Sequence, residues 1–193
     1  MRKDIAKYKD QYLEQLYIYI KTYFKQPKEL WSWEVFSSGL EELIYQSLAK
    51  TYSITIDAAE DLYNIQFKET IDAETLERLT YSGDGKSLSE RLKSHYDEAI
   101  TRDNTIEYFY NRVVLIMDTE TLYSSNHVIH GKLKRRATHA EVINDSDDFC
   151  LDHEMCEYWV GKGKMPIDEL EELPPYHPDC ECEVIYYFDE NKE

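Results

Sequence analysis

Residues 4–24 set Ile5, Tyr8, Tyr12, Leu13, Leu16, Tyr17, Ile20 and Phe24 at three- and four-residue intervals, with Lys and Glu between them and Pro27 shortly after. At 3.6 residues per turn those positions share one face, so the pattern predicts a long amphipathic helix. Its tyrosine stripe either packs on the chain's own core or offers a partner a docking face. A second helix is predicted over residues 30–49, with Val35, Phe36, Leu40, Leu43, Ile44 and Leu48 inward and Trp31 and Trp33 at its start. Gly39 weakens the middle of it by roughly 1 kcal/mol. Asp57-Ala-Ala-Glu60 has the spacing of a capping box and predicts a short helix through Phe67, and Asp72 caps another through Leu79.

Ser82-Gly-Asp-Gly85 is the clearest break, because two glycines around an aspartate favour a turn. A helical module over residues 1–82 and a second domain over residues 83–193 are expected on either side of it. Ser87-Leu-Ser-Glu90 is a second capping box, opening a helix through Leu92 and Tyr96 to Ile100. Asp103 or Asn104 then caps a longer helix carrying Ile106, Phe109, Tyr110, Val113, Val114, Ile116 and Met117, expected to end near Asp118-Thr-Glu-Thr121. Beyond Gly131 the pattern turns extended: residues 137–143 alternate, and Val184-Ile-Tyr-Tyr-Phe188 is strongly β-prone. The fold class expected is α+β, mainly helical, with a small C-terminal β-layer clipped by a Cys/His cluster.

A chain of 193 residues with 42% hydrophobic and 13% aromatic content has enough apolar surface for a core, which excludes disorder as the default. Its seventeen tyrosines suit contacts between protein surfaces, where a ring is buried and a hydroxyl stays wet. The net charge of −17 is uneven: residues 1–28 carry seven Lys/Arg against three Asp/Glu, and residues 137–193 carry three against seventeen. Such a surface repels phosphate backbones, so DNA contact is expected only through the basic N-terminal segment and Lys132-Leu-Lys-Arg-Arg136. No apolar run reaches the ~18 residues of a membrane span, and no apolar signal-peptide core is present. A soluble chain in a reducing compartment is expected, where cysteines serve metal or thiol chemistry ahead of disulfides.

All four cysteines fall in two short clusters, Cys150-Leu-Asp-His153-Glu-Met-Cys156 and His177-Pro-Asp-Cys180-Glu-Cys182. Sulfur and imidazole at such spacing, with a loop long enough to fold back, is a pattern for a tetrahedral metal clip or a small redox site. Six candidates, Cys150, His153, Cys156, His177, Cys180 and Cys182, are more than one zinc needs. Four of them are expected to ligate, most simply two from each cluster. Bound zinc leads, with reduced thiols and then disulfides as the alternatives. Pro174, Pro175 and Pro178 stiffen the approach to the second cluster.

Four blocks in order, Gly85-Lys-Ser-Leu-Ser-Glu-Arg-Leu92, Asp118-Thr-Glu-Thr121, Asp147-Asp-Phe-Cys150 and Leu173-Pro-Pro-Tyr-His-Pro-Asp-Cys-Glu-Cys182, resemble the phage head-morphogenesis family of minor head proteins typified by protein F of phage Mu. The likeness covers roughly residues 85–186, and the last block is its most specific part. His153 stands where the family has the second cysteine of C-x-x-C, a swap that zinc tolerates. Glu181 replaces an arginine between the last two cysteines. The resemblance implies a virion or procapsid component, made in the host cytoplasm and associated with portal or capsid proteins. It would act in head assembly or genome delivery, with a structural zinc and no small-molecule substrate.

An enzymatic alternative comes from Thr138-His139-Ala140-Glu141 and Pro178-Asp-Cys180-Glu-Cys182, which resemble the H-x-E and P-C-x-x-C signature of zinc-dependent nucleoside and nucleobase deaminases. There His139 would bind zinc and Glu141 would move the proton. The spacing is P-x-C-x-C, however, and His139 and Glu141 fall on an expected strand where those enzymes use helix starts. Thr119-Glu120-Thr121 reads as a cap or an ion-pair partner more readily than as a catalytic carboxylate. Gly83-Asp-Gly-Lys-Ser87 lacks the upstream glycine and the preceding strand of a phosphate-binding loop.

Overall fold

The structure is a computed structural model that describes residues 2–64, 85–144, 153–177 and 180–189, with side chains described from residue 11 onward. The chain forms two compact units, Met1–Thr121 and Leu122–Glu193. Of the turn read at residues 82–85, only Gly85 lies among the described residues, with a positive φ of 71°. The helix that follows it shares the core of the first unit, so the division falls farther along the chain than that turn.

In the first unit, α1 (Arg2–Phe24) buries Leu16, Ile20, Tyr23 and Phe24. A 3-10 turn (Lys28–Leu30) leads into α2 (Trp33–Tyr63). The faces meet because Leu16 and Ile20 recur at i, i+4, as do Phe36, Leu40, Ile44 and Leu48, all at most 2% exposed. Val35, expected inward, is 69% exposed, since it precedes Phe36 and therefore points about 100° away from it. Gly39 has a steric purpose. A Cβ there would come within 2.5 Å of the Tyr19 hydroxyl, which donates to the Phe36 carbonyl at 2.7 Å.

The helix expected to stop near residue 49 runs on to Tyr63 as one element, and no separate helix starts at Asp57. Ser47, Leu48, Thr51, Tyr52, Thr55, Ile56 and Ala59 continue its buried stripe, so burial overrides the weak helix propensity of the β-branched residues. Asp57 and Glu60 thus lie inside a helix, where Asp57 has no cap to make. Asn64 closes α2 in the left-handed region, with φ 52°. Phe67 and the helix expected from Asp72 to Leu79 lie outside the described residues.

α3 (Leu88–Ala99) begins as read. Ser87 Oγ accepts from the Glu90 amide, and the Glu90 carboxylate accepts from the Ser87 amide at 2.8 Å. α4 (Thr105–Leu133) runs three turns past the end expected at residues 118–121. Thr119 and Glu120 find partners there without ending the helix. Thr119 Oγ1 donates to the Leu115 carbonyl at 2.9 Å, and fully buried Glu120 pairs with Arg91 of α3. The ion-pair role read for Glu120 therefore stands, while the helix end does not.

The second unit carries a three-stranded antiparallel sheet in the order β2-β1-β3. Its strands are β1 (His139–Ile143), β2 (Met165–Pro166) and β3 (Glu183–Tyr187). Both expected strands are present and pair with each other, His139 opposite Tyr187 and Val142 opposite Val184. Ala140 and Val142 face inward with Met165 and Tyr186, leaving His139 and Glu141 on the half-buried face. Between β1 and β2 stands α5 (Glu154–Gly161), which carries Cys156 and Trp159 into the interior. The result is α+β, mainly helical, with a small C-terminal sheet beside a Cys/His cluster.

Candidate metal centre

α5 begins within the first cysteine-rich segment, with His153 as its N-cap and Cys156 at the third helical position. Cys156 is fully buried while His153 is exposed. From the other side, Leu173-Pro-Pro-Tyr-His177 approaches in an irregular path. The Asn126 side-chain amide donates to the Pro174 carbonyl at 3.0 Å, tying that path to α4. The Cys180 amide donates to the His177 carbonyl at 3.2 Å, so one turn carries both an imidazole and a thiol. Cys182 is fully buried directly before β3.

These elements bring five of the six candidates together in two overlapping triads. Cys156, Cys180 and Cys182, all buried, have their sulfurs within 4.8 Å of one another, and His153, Cys156 and His177 form a second set within the same limit. Cys150 lies outside the described residues. The Cys156 and Cys180 sulfurs are 3.8 Å apart. Two thiolates at ~2.3 Å from a tetrahedral ion lie ~3.8 Å apart, so this pair has the separation of one edge of such a site. The His153 and His177 rings stack, with centroids 4.3 Å apart and planes at 29°. Three sulfurs and two imidazoles in one place, all buried but His153, fit a soft or borderline metal and do not fit magnesium or calcium, which take oxygen.

The electrostatics favour thiolate. The Cys180 thiol is pushed down to about 5, chiefly by the hydrogen bond from the Cys182 thiol, with backbone amides at Cys182 and Tyr176 and the Cys156 thiol adding to it against the effect of burial. Asn144, just past β1, directs its side-chain amide at the Cys182 sulfur at 3.7 Å. Tyr176 borders the cluster, and its hydroxyl is raised well above its usual range, first by burial and then by the neighbouring sulfurs. Trp159, one turn after Cys156, stacks on Tyr176 at 6.4 Å. Its buried indole N–H has no hydrogen-bond partner among the described residues.

Sequence reasoning did not single out Asn144, Trp159 or Tyr176 as parts of this site. Asn144 carries no signal, being an ordinary residue after a strand. The i, i+3 spacing of Cys156 and Trp159 is a signal only once α5 is known to be a helix. His139 and Glu141 lie on β1 as expected and belong to neither triad. The Tyr187 hydroxyl donates to the Glu141 carboxylate at 2.5 Å, and His139 Nδ1 hydrogen-bonds Thr138 Oγ1 at 3.0 Å. In the first unit a cleft of about 460 Å³ lies beside Trp31, Trp33 and Tyr96, where Lys93 and Asp97 neutralise each other as an i, i+4 pair. No described helix is long and apolar enough to cross a membrane. Comparison with family models, with curated proteins and with solved structures finds no match to this chain.

Proposed function

We propose that this chain is a structural component of a phage head, a minor head or portal-associated protein acting in head assembly or genome delivery, whose second unit is clipped by zinc. The observation that carries the proposal is the convergence of His177, Cys180 and Cys182 of the closing Cys/His block with Cys156 and His153 in one cluster, buried except at His153, beside a three-stranded sheet. That block is also the most specific part of the likeness to the minor head proteins. A sheet with one two-residue strand buries too little apolar surface to hold its own shape, and a metal supplies the missing free energy. The sulfurs are at most 7% exposed, as in a closed structural site, whereas a catalytic zinc keeps a position open to substrate. On this reading the protein works inside the virion or procapsid, with portal or capsid proteins as partners. Contact with DNA falls to its basic segments, where Lys134, Arg135 and Arg136 are exposed.

The assembly role is tested by fractionating phage-producing cells on a gradient and probing for this chain. Co-sedimentation with procapsids and virions is expected, and a chain found wholly in the soluble fraction overturns the role. For the clip, protein purified without chelator is expected to carry close to one equivalent of zinc by mass spectrometry. Absence of metal, with Cys156, Cys180 and Cys182 all reacting freely with a thiol reagent in the native protein, overturns that half.

A further inference from the structure

We infer that the ion rests on the sulfur face of the cluster, held by Cys156, Cys180 and Cys182 with His177 as fourth ligand, and that His153 orients the His177 ring without binding metal; this rests on the zinc reading above. One ligand then comes from the first cysteine-rich segment and three from the second, in place of an even division. The set dispenses with Cys150 and with the donor nitrogens of His153, although C-x-x-H spacing makes those two the obvious pair in the sequence.

Three sulfurs mutually within 4.8 Å, one pair at the tetrahedral edge length, fill three vertices of a tetrahedron and leave one. Cys156 is the only residue shared by the two triads, so the open vertex faces the imidazoles. Of these, His177 is 9% exposed and hangs from the same turn as Cys180, its carbonyl accepting the Cys180 amide. Its ligand nitrogen already stands within 4.8 Å of the Cys156 sulfur, so it borders the open vertex. His153 is exposed and starts α5 as its N-cap, so a vertex filled by it would stand open to water. Its ring stacks on His177 at 4.3 Å, which fixes the plane in which the His177 nitrogen points. Three thiolates on one divalent ion leave an excess negative charge, and the Asn144 amide directed at Cys182 meets part of it. The site is thereby one for zinc, cobalt or cadmium.

The test is cobalt substitution of the full chain, read by thiolate-to-metal charge-transfer intensity, stoichiometry and competition with a chromophoric chelator. One equivalent is expected. Cys156→Ser, Cys180→Ser and Cys182→Ser should each lose about a third of the charge-transfer intensity, and Cys150→Ser none. His177→Ala should weaken binding more than ~100-fold, and His177→Cys should restore it with a fourth thiolate's added intensity. His153→Ala should weaken binding ~10-fold at unchanged charge-transfer intensity, the usual scale for a residue acting through a ligand. His153→Phe keeps a ring to stack and offers no nitrogen, so it should bind as the unsubstituted chain does. Cobalt uptake with intensity lost in Cys150→Ser, with His153→Phe as weak as His177→Ala, or with two equivalents bound overturns the assignment alone. A chain that takes up no cobalt overturns the zinc reading and the assignment together.

Discussion

Phe36 in the first unit and Cys156 in the second are both fully buried, and they are held in different ways. Around Phe36 stand Tyr19, Tyr23, Phe24, Trp33, Tyr96 and Phe109, with ring centroids 4.3 to 6.3 Å away, in stacked, tilted and edge-on arrangements. Attraction there is spread over many contacts, none of which requires one geometry, and it does not depend on pH or chelators. Around Cys156 stand two sulfurs and two imidazoles, whose arrangement is worth little without an ion and fixed in direction with one. The first unit is therefore expected to resist changes of solution condition, and the second to respond to them.

The largest break in that contrast is metal removal. Chelation, or Cys180→Ser, should lower the melting temperature of the second unit by several degrees or more and leave that of the first in place, as followed by calorimetry. Structural zinc contributes on the order of 10 kcal/mol to small folds, so a single unshifted transition would show that the second unit stands on its apolar core. Next, Phe36→Ala should destabilise the first unit by about 3–5 kcal/mol, with metal content unchanged. Arg91→Met leaves Glu120 buried without its guanidinium and should cost a comparable ~3–5 kcal/mol. The double variant Arg91→Met/Glu120→Leu should recover most of that loss in urea titrations.

A smaller change tests close packing against helix propensity. Gly39→Ala gains up to ~1 kcal/mol from propensity in an open helix, but here the new methyl meets the Tyr19 hydroxyl, so net destabilisation is expected in thermal melts. The smallest effect concerns acid. Burial depresses His127 and His130 below the ordinary imidazole value, so the folded chain keeps them neutral where the unfolded chain is protonated. The unfolded state then binds more protons as pH drops below ~6.5, and stability falls there while staying flat above. His127→Gln with His130→Gln should flatten that slope in melts taken from pH 7.5 to 5.5.

What the sequence disclosed was local. The Ser87/Glu90 box closes over three residues, so its pattern and its structure coincide. Asp57/Glu60 has the same pattern and no such role, because the stripe from Ser47 to Ala59 is buried by tertiary packing that no short window displays. The buried partner of Glu120 within α4 is likewise out of local view, since Arg91 lies 29 residues away. β2 is two residues long and reads as nothing until β1 is beside it. α5 is eight residues long and overlaps the first cysteine cluster, whose ligand spacing masks its short helical period. At the site, residue types and spacing were enough to name five residues that do gather. They were not enough to divide them into triads, since that division depends on where the first turn of α5 places Cys156.

Trp159 gives the second unit an optical signal of its own. The chain has three tryptophans; Trp31 and Trp33 belong to the first unit, and Trp159 lies one helical turn from Cys156 with its indole against Tyr176. A nearby thiolate quenches indole emission by electron transfer from its sulfur lone pairs, and a bound ion ties those pairs up. In a Trp31→Phe/Trp33→Phe background, the remaining fluorescence should rise as zinc is added and fall as it is chelated, so this one indole would report metal binding at the Cys/His cluster from within the full chain.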